Sequence, residues 1–138
     1  MGYRSDVGLA LTKEGVVYLN NKLNNLDKDS GLFCDVADMI AYPKQHCIDK
    51  TSGAEMYFWT YQKWYSQFPE IMFFENLMNE LEPESFYFVR IGEELDDNEV
   101  RGSFWDNPFD LGIDRSITFS ESVRFSHQHA ARTSEFRS

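Results

Sequence analysis

The chain opens on an alternation. Tyr3, Val7, Leu9 and Leu11 share one parity, with Arg4, Asp6 and Gly8 between apolar positions. That period of two predicts a strand with one buried face. Thr12 then supplies an N-cap oxygen and Glu14 a negative charge for a first helical turn. Val16, Leu19, Leu23 and Leu26 follow at spacings of three, four and three, the stripe of an amphipathic helix. Asn20, Asn21, Lys22, Asn24 and Asn25 fill the watery side. Gly31 suits a left-handed stop to this helix. Leu32, Val36, Met39 and Ile40 then fit a short helix, although Cys34 and Val36 also fit a strand; helix is the preferred reading, ended by Pro43.

Lys44–Asp49 and Glu55–Tyr61 flank the polar Lys50-Thr51-Ser52-Gly53, which predicts a hairpin. Its second arm is bulky on both faces and dense in aromatics, as a strand tolerates. Pro69 fits the first turn of a further helix, with Ile71, Phe74, Leu77, Met78 and Leu81 as its apolar stripe and Pro83 as its stop. Phe86–Ile91 is apolar on both parities except at Arg90 and reads as a central strand. Glu93–Glu99 reads as an acidic loop and 102–114 as an irregular, partly packed loop. Ile117, Phe119, Val123 and Phe125 alternate with polar neighbours and predict a last strand, with Glu121 on the apolar parity hinting at an edge or a bulge.

Strand, helix, short helix, hairpin, helix, strand, strand is the order of an α+β two-layer sandwich. Its split β-α-β-β-α-β pattern is ferredoxin-like, with an additional C-terminal strand. The expectation is one domain over residues 1–125 and a flexible polar tail over 126–138.

Composition narrows the function without naming it. Across 138 residues, acids outnumber Lys and Arg 23 to 13, a net charge of −10 that argues against a direct nucleic-acid binder, which needs a basic stripe. No apolar run reaches the ~18 residues of a membrane span. The polar opening Met1–Asp6 carries no signal-peptide core, and two cysteines make no disulfide framework, so the expected compartment is a reducing cytoplasm. Aromatic residues reach 16%, which is unusually rich.

The candidate chemistry is concentrated in two places. Glu93, Glu94, Asp96, Asp97 and Glu99 crowd into seven residues with no base among them. They form either a solvated loop or a negative surface that steers a basic partner. A calcium site is disfavoured, because the Asp-x-Asp-x-Asp-Gly spacing is absent. Trp59, Tyr61, Trp64 and Tyr65 lie within seven residues around Lys63. Alternation puts Trp59 and Tyr61 on one face and Trp64 on the other. The cluster is read as core, as a partner-binding surface, or as a base-stacking platform, the last disfavoured by the charge. Arg90 is expected to pair with Glu93, Asp96 or Asp97. Cys34, His46, Cys47, His127 and His129 lack zinc-ligand spacing, so no metal or other cofactor is expected. No nucleophile elbow or phosphate-cradling glycine loop is present, and Arg90, Lys63, His46 and the acids are the candidates if the chain is nevertheless an enzyme.

Three segments carry a family resemblance. Met1-Gly2-Tyr3-Arg4-Ser5-Asp6-Val7, the Lys63-Trp64-Tyr65 and Phe68-Pro69-Glu70 run, and Phe88-Val89-Arg90-Ile91-Gly92-Glu93 with Asp96-Asp97 and Gly102 resemble a group of small proteins from bacteriophages and prophages. The resemblance spans residues 1–102 in three islands and brings no catalytic residue. It implies an accessory phage protein in a bacterial cytoplasm, many of which bind and block a host protein. The expectation is therefore a non-enzymatic binder of a host protein with a basic surface, possible occupancy of a nucleic-acid-binding patch included. Glu93, Glu94, Asp96, Asp97, Glu99, Lys63, Trp64, Tyr65 and Trp105 form its candidate surface. A homodimer built on the aromatic strand is the structural alternative.

Overall fold

A strand buried on both faces runs through the centre of the sheet. The computed structural model describes residues 2–114 and 116–120 and the backbone of 124–125. In it, β1 (Ser5–Leu11) pairs antiparallel with β3 (Glu55–Gln62) on one side and β4 (Phe86–Ile91) on the other. The hairpin partner β2 (Gln45–Ile48) lies beyond β3, and β5 (Asn98–Gly102) lies beyond β4. The short pairs β6 (Gly112–Ile113) with β7 (Ile117–Thr118), and β8 (Arg124–Phe125) with β2, complete the strands. The six-stranded antiparallel sheet has the order β5-β4-β1-β3-β2-β8.

Three helices accompany it, so the chain is mixed α+β as expected. In α1 (Lys13–Asn24) the Thr12 hydroxyl accepts from the Gly15 amide at 3.1 Å. Helix α2 (Gly31–Ala41) resolves the ambiguous segment as helix, with Ser30 as its cap. Gly31 is thus the first residue of α2 rather than the stop of α1, because the Ser30 hydroxyl turns the chain one residue earlier. Helix α3 (Pro69–Glu80) begins at its proline. No described helix is long and apolar enough to cross a membrane.

The helices cover one face of the sheet. Val7, Leu9 and Leu11 of β1, Tyr57 and Trp59 of β3 and Phe86 and Phe88 of β4 pack there with Leu19, Val36, Ile71, Phe74 and Leu77. The other face is covered too, by the segment after β5. Phe109, Leu111 and Ile117 pack on Ala10, Cys47, Met56 and Val89. This corrects the single-faced reading of β1. Its small residues Gly8 and Ala10 leave room for a second layer, and a Cβ on Gly8 would lie 2.8 Å from a Leu111 methyl. Asn107 shapes that layer. It is buried, and its Oδ1 accepts from the Phe109 and Leu111 amides at 3.1 Å each.

The last predicted strand is also corrected. Its two described ends belong to different strands with different partners: Ile117–Thr118 pairs with β6 and Arg124–Phe125 with β2. Between them Phe119 tilts onto Phe58 at 5.3 Å, across the second face of the sheet. The expectations about Glu121, His127, His129 and the tail 126–138 lie outside the described residues.

Candidate functional site

The acidic run is mostly turn, and only its last two residues are strand. Asn98 and Glu99 belong to β5, opposite Ile91 and Arg90, so residues 92–97 alone form the connection. The expected acidic loop over Glu93–Glu99 is therefore shorter and sits on a rigid hairpin. The Gly92 amide donates to the Asp97 carbonyl at 2.8 Å, and the Asp97 amide donates to the Glu94 carbonyl at 3.1 Å. Gly92 has no space for a Cβ, which would collide with the Asp97 carboxylate and the Tyr3 hydroxyl.

Arg90 organises this turn from the helix-covered side. Its Nη2 lies 2.9 Å from Asp97 Oδ1 and its Nε 3.1 Å from Glu99 Oε1, while Nη1 donates to Ser5 Oγ at 3.0 Å. Of the three partners expected for Arg90, only Asp97 is used, and Glu99 is the second. Partial burial works against the guanidinium charge, but the hydrogen bonds it donates to Asp97 and Glu99 outweigh that burial and raise the Arg90 pKa. The same Arg90 contact, and then the Tyr3 hydroxyl, hold the Asp97 carboxyl below its ordinary range. Tyr3 is raised in turn, chiefly by donating to Asp97.

The N-terminal segment ties the hairpin to the aromatic run. The Tyr3 amide donates to the Tyr65 hydroxyl at 2.6 Å, and the Arg4 amide donates to Glu93 Oε2 at 2.7 Å. The Tyr3 hydroxyl also accepts from the Glu94 amide at 3.1 Å. Lys63 lays its stem beside Gly2. The three segments singled out in the sequence, 1–7, 63–70 and 88–102, therefore meet at one end of the sheet. What remains on the surface is Glu93, Glu94 and Asp96 around Leu95, which is 81% exposed. Beside them lies a shallow cleft of about 310 Å³, with Ile91, Leu95 and Ile113 in its lining.

Two of the expected surface residues lie elsewhere. Trp64 is buried in the core, 6.1 Å from the Trp59 ring, and its Nε1 donates to Glu75 at 3.0 Å. It shares a face with Trp59, contrary to strict alternation. The reason is a register shift opposite Ser5–Val7 and a positive φ of 59° at Tyr61, which swing the chain round. Tyr61 is left exposed, with the Arg4 guanidinium 4.7 Å over its ring. Trp105 is 71% exposed, but it follows Phe104, whose amide donates to the Phe86 carbonyl. Phe86 and Ile91 are the two ends of β4, about 17 Å apart at the rise of an antiparallel strand, so Trp105 is not beside the acidic turn.

The residues an enzyme would recruit are also dispersed. His46 Nε2 lies 2.7 Å from Glu55 Oε1, which also accepts from the Tyr57 hydroxyl at 3.0 Å. The His46 contact lowers the Glu55 pKa, and burial pushes the Tyr57 phenol far above its usual range. This trio sits on β2 and β3, two to three strand spacings or about 10–14 Å from β4 and Arg90. Among the described residues no group of three His, Cys, Asp or Glu could hold a metal. Cys34 is exposed and Cys47 buried. Comparison with family models, with curated proteins and with solved structures finds no match to this chain.

Two effects follow from the Arg90 network. Arg90→Met keeps most of the side-chain length but leaves Asp97 and Glu99 without their cation, and should cost about 1–3 kcal/mol in denaturant unfolding. Lowering the pH acts on the same link. A depressed carboxyl adds stability above the unfolded value near 3.9 and loses it as pH falls through the folded value. The Asp97 contribution is small because the group is solvated. Protection of the Gly92 amide, taken against the unfolded-chain exchange rate at the same pH, should therefore fall below about pH 4 in the native chain and much less in Asp97→Asn.

Proposed function

We propose that this chain is a non-enzymatic binding protein that docks the acidic turn on a basic surface of a host protein and inhibits or redirects it. The observation that carries the reading is the tip itself: three exposed carboxylates surround an exposed leucine on a hairpin fixed by Arg90, Asp97 and Tyr3. Carboxylates of this kind steer and orient an encounter, while an apolar apex supplies buried area. Pre-organisation by the Arg90 network reduces the entropy lost on docking. Glu93, Glu94, Leu95 and Asp96 are the contact residues of the proposal. Asp97, Glu99 and Tyr65 act as supports, and Lys63 is at the margin.

The wider setting is proposed with it. The strand order β4-β1-β3-β2 supports a ferredoxin-like core, extended by β5 at one edge and β8 at the other. Resemblance of the three converging segments to phage and prophage proteins supports an accessory role in a bacterial cytoplasm. A net charge of −10 favours a partner surface that otherwise holds nucleic acid, rather than nucleic acid itself. The separation of His46 from Arg90 supports a binder over an enzyme.

The test is capture from bacterial lysate by the full chain at low salt. One stoichiometric protein with a basic face supports the proposal. Retention of a nucleotide, a metal or a small molecule in place of a protein would overturn it.

A further inference from the structure

The outer side of β5 is a sheet edge with no neighbouring strand among the described residues. Its sequence is Asn98-Glu99-Val100-Arg101-Gly102. We infer that this edge pairs antiparallel with β5 of a second copy of the chain, about a two-fold axis at Val100.

The backbone register makes Val100 the natural centre. Gly92 donates to the Asp97 carbonyl, so Asp97 turns its polar groups towards β4. Alternation in an antiparallel ladder then turns Glu99 and Arg101 inward and Asn98, Val100 and Gly102 outward. With the axis at Val100, the two valines exchange both hydrogen bonds, and Asn98 of each copy meets Gly102 of the other in the same way. Glu99 and Arg101 fall at the intervening positions, where side chains across the pair come closest.

Those positions are complementary in charge. Glu99 of one copy faces Arg101 of the second, and Arg101 faces Glu99. Opposite charges directly across a pair stabilise it, and like charges there destabilise it. A dyad one residue to either side would instead centre on Glu99 or Arg101 and oppose like charges. Both side chains are already held in place, Glu99 by Arg90 at 3.1 Å and Arg101 by Glu75 at 2.8 Å. The pairing thus joins two intramolecular ion pairs into one alternating row. On the other face the two Val100 side chains, each 50% exposed, cover one another. A five-residue strand makes a small interface, so the dimer is concentration-dependent, and the charge of −10 on each copy calls for salt to screen it.

Sedimentation of the full chain over a concentration series at ~0.15 M salt tests this. The native chain should pass from monomer to dimer. Val100→Lys and Val100→Glu place like charges at the dyad and should each weaken self-association by at least about tenfold. An equal mixture of the two variants should recover a dimer. Circular dichroism confirms that each variant is folded, as expected where the native side chain is half exposed. A native chain that stays monomeric throughout would overturn the inference. So would a Val100→Lys variant that dimerises as well as the native chain, or a folded mixture that stays monomeric.

Discussion

Phe74→Ala should lower the stability of the chain by about 3–5 kcal/mol, the range for emptying a buried phenylalanine site. Phe74 is 1% exposed and stands where the helix layer meets the sheet. Its ring lies 5.6 Å from Trp59, 6.1 Å from Trp64 and 5.4 Å from Phe73. The three neighbours are large and rigid, and the two tryptophans are also fixed at their polar ends. Trp59 Nε1 donates to the Met39 carbonyl at 2.9 Å, and Trp64 Nε1 donates to Glu75 at 3.0 Å. They are poorly placed to collapse into the gap, which puts the loss towards the upper part of the range. Phe74→Leu keeps much of the volume and should lose less. Trp105→Ala, at an exposed site, should stay within about 0.5 kcal/mol. Denaturant unfolding of the three variants checks the ranking.

Neutralising the tip should have the largest effect on binding. Glu93→Gln, Glu94→Gln and Asp96→Asn together remove three charges and leave Asp97 to hold Arg90. The Glu93 replacement keeps an oxygen acceptor for the Arg4 amide, so the hairpin should persist. Steered association depends on charge at long range and is lost with salt. The triple variant should therefore associate with the partner at least about tenfold more slowly at low salt, with a flattened salt dependence. Leu95→Ser should act differently. It leaves the field intact but removes the apolar apex, so dissociation quickens while association changes little. Stopped-flow or surface-based kinetics with the captured partner separates the two.

Much of this architecture is written in local pattern. Thr12 and the stripe from Val16 to Leu23 define α1, Pro69 and its stripe define α3, and the polar turn at 50–53 defines the hairpin. Strand β5 was not legible, because Asn98-Glu99-Val100-Arg101-Gly102 is charged and short. It becomes a strand through partners on other elements, Glu99 through Arg90 on β4 and Arg101 through Glu75 on α3. The last segment failed for a related reason. Alternation from Ile117 to Phe125 is real, but alternation does not say which strand will be the partner, and two different partners divide it.

The site was legible as chemistry but not as geometry. The acids and the aromatic run stand out in composition, and Arg90 stands out as a charge in an apolar strand. Nothing local shows that Tyr3 would bridge the two, donating from its amide to Tyr65 and from its hydroxyl to Asp97. The exposure of Leu95 was also hidden, since a leucine between acids carries no periodic signal. Trp64 was misplaced because the positive φ at Tyr61 breaks the alternation on which its placement relied.

The most direct test is quantitative capture from bacterial lysate with the native chain and the triple tip variant side by side, washed at low and then at moderate salt. The account predicts one protein held by the native chain at low salt, released as salt rises, and largely missing from the variant. Equal recovery of that protein on the folded variant at both salts would contradict it.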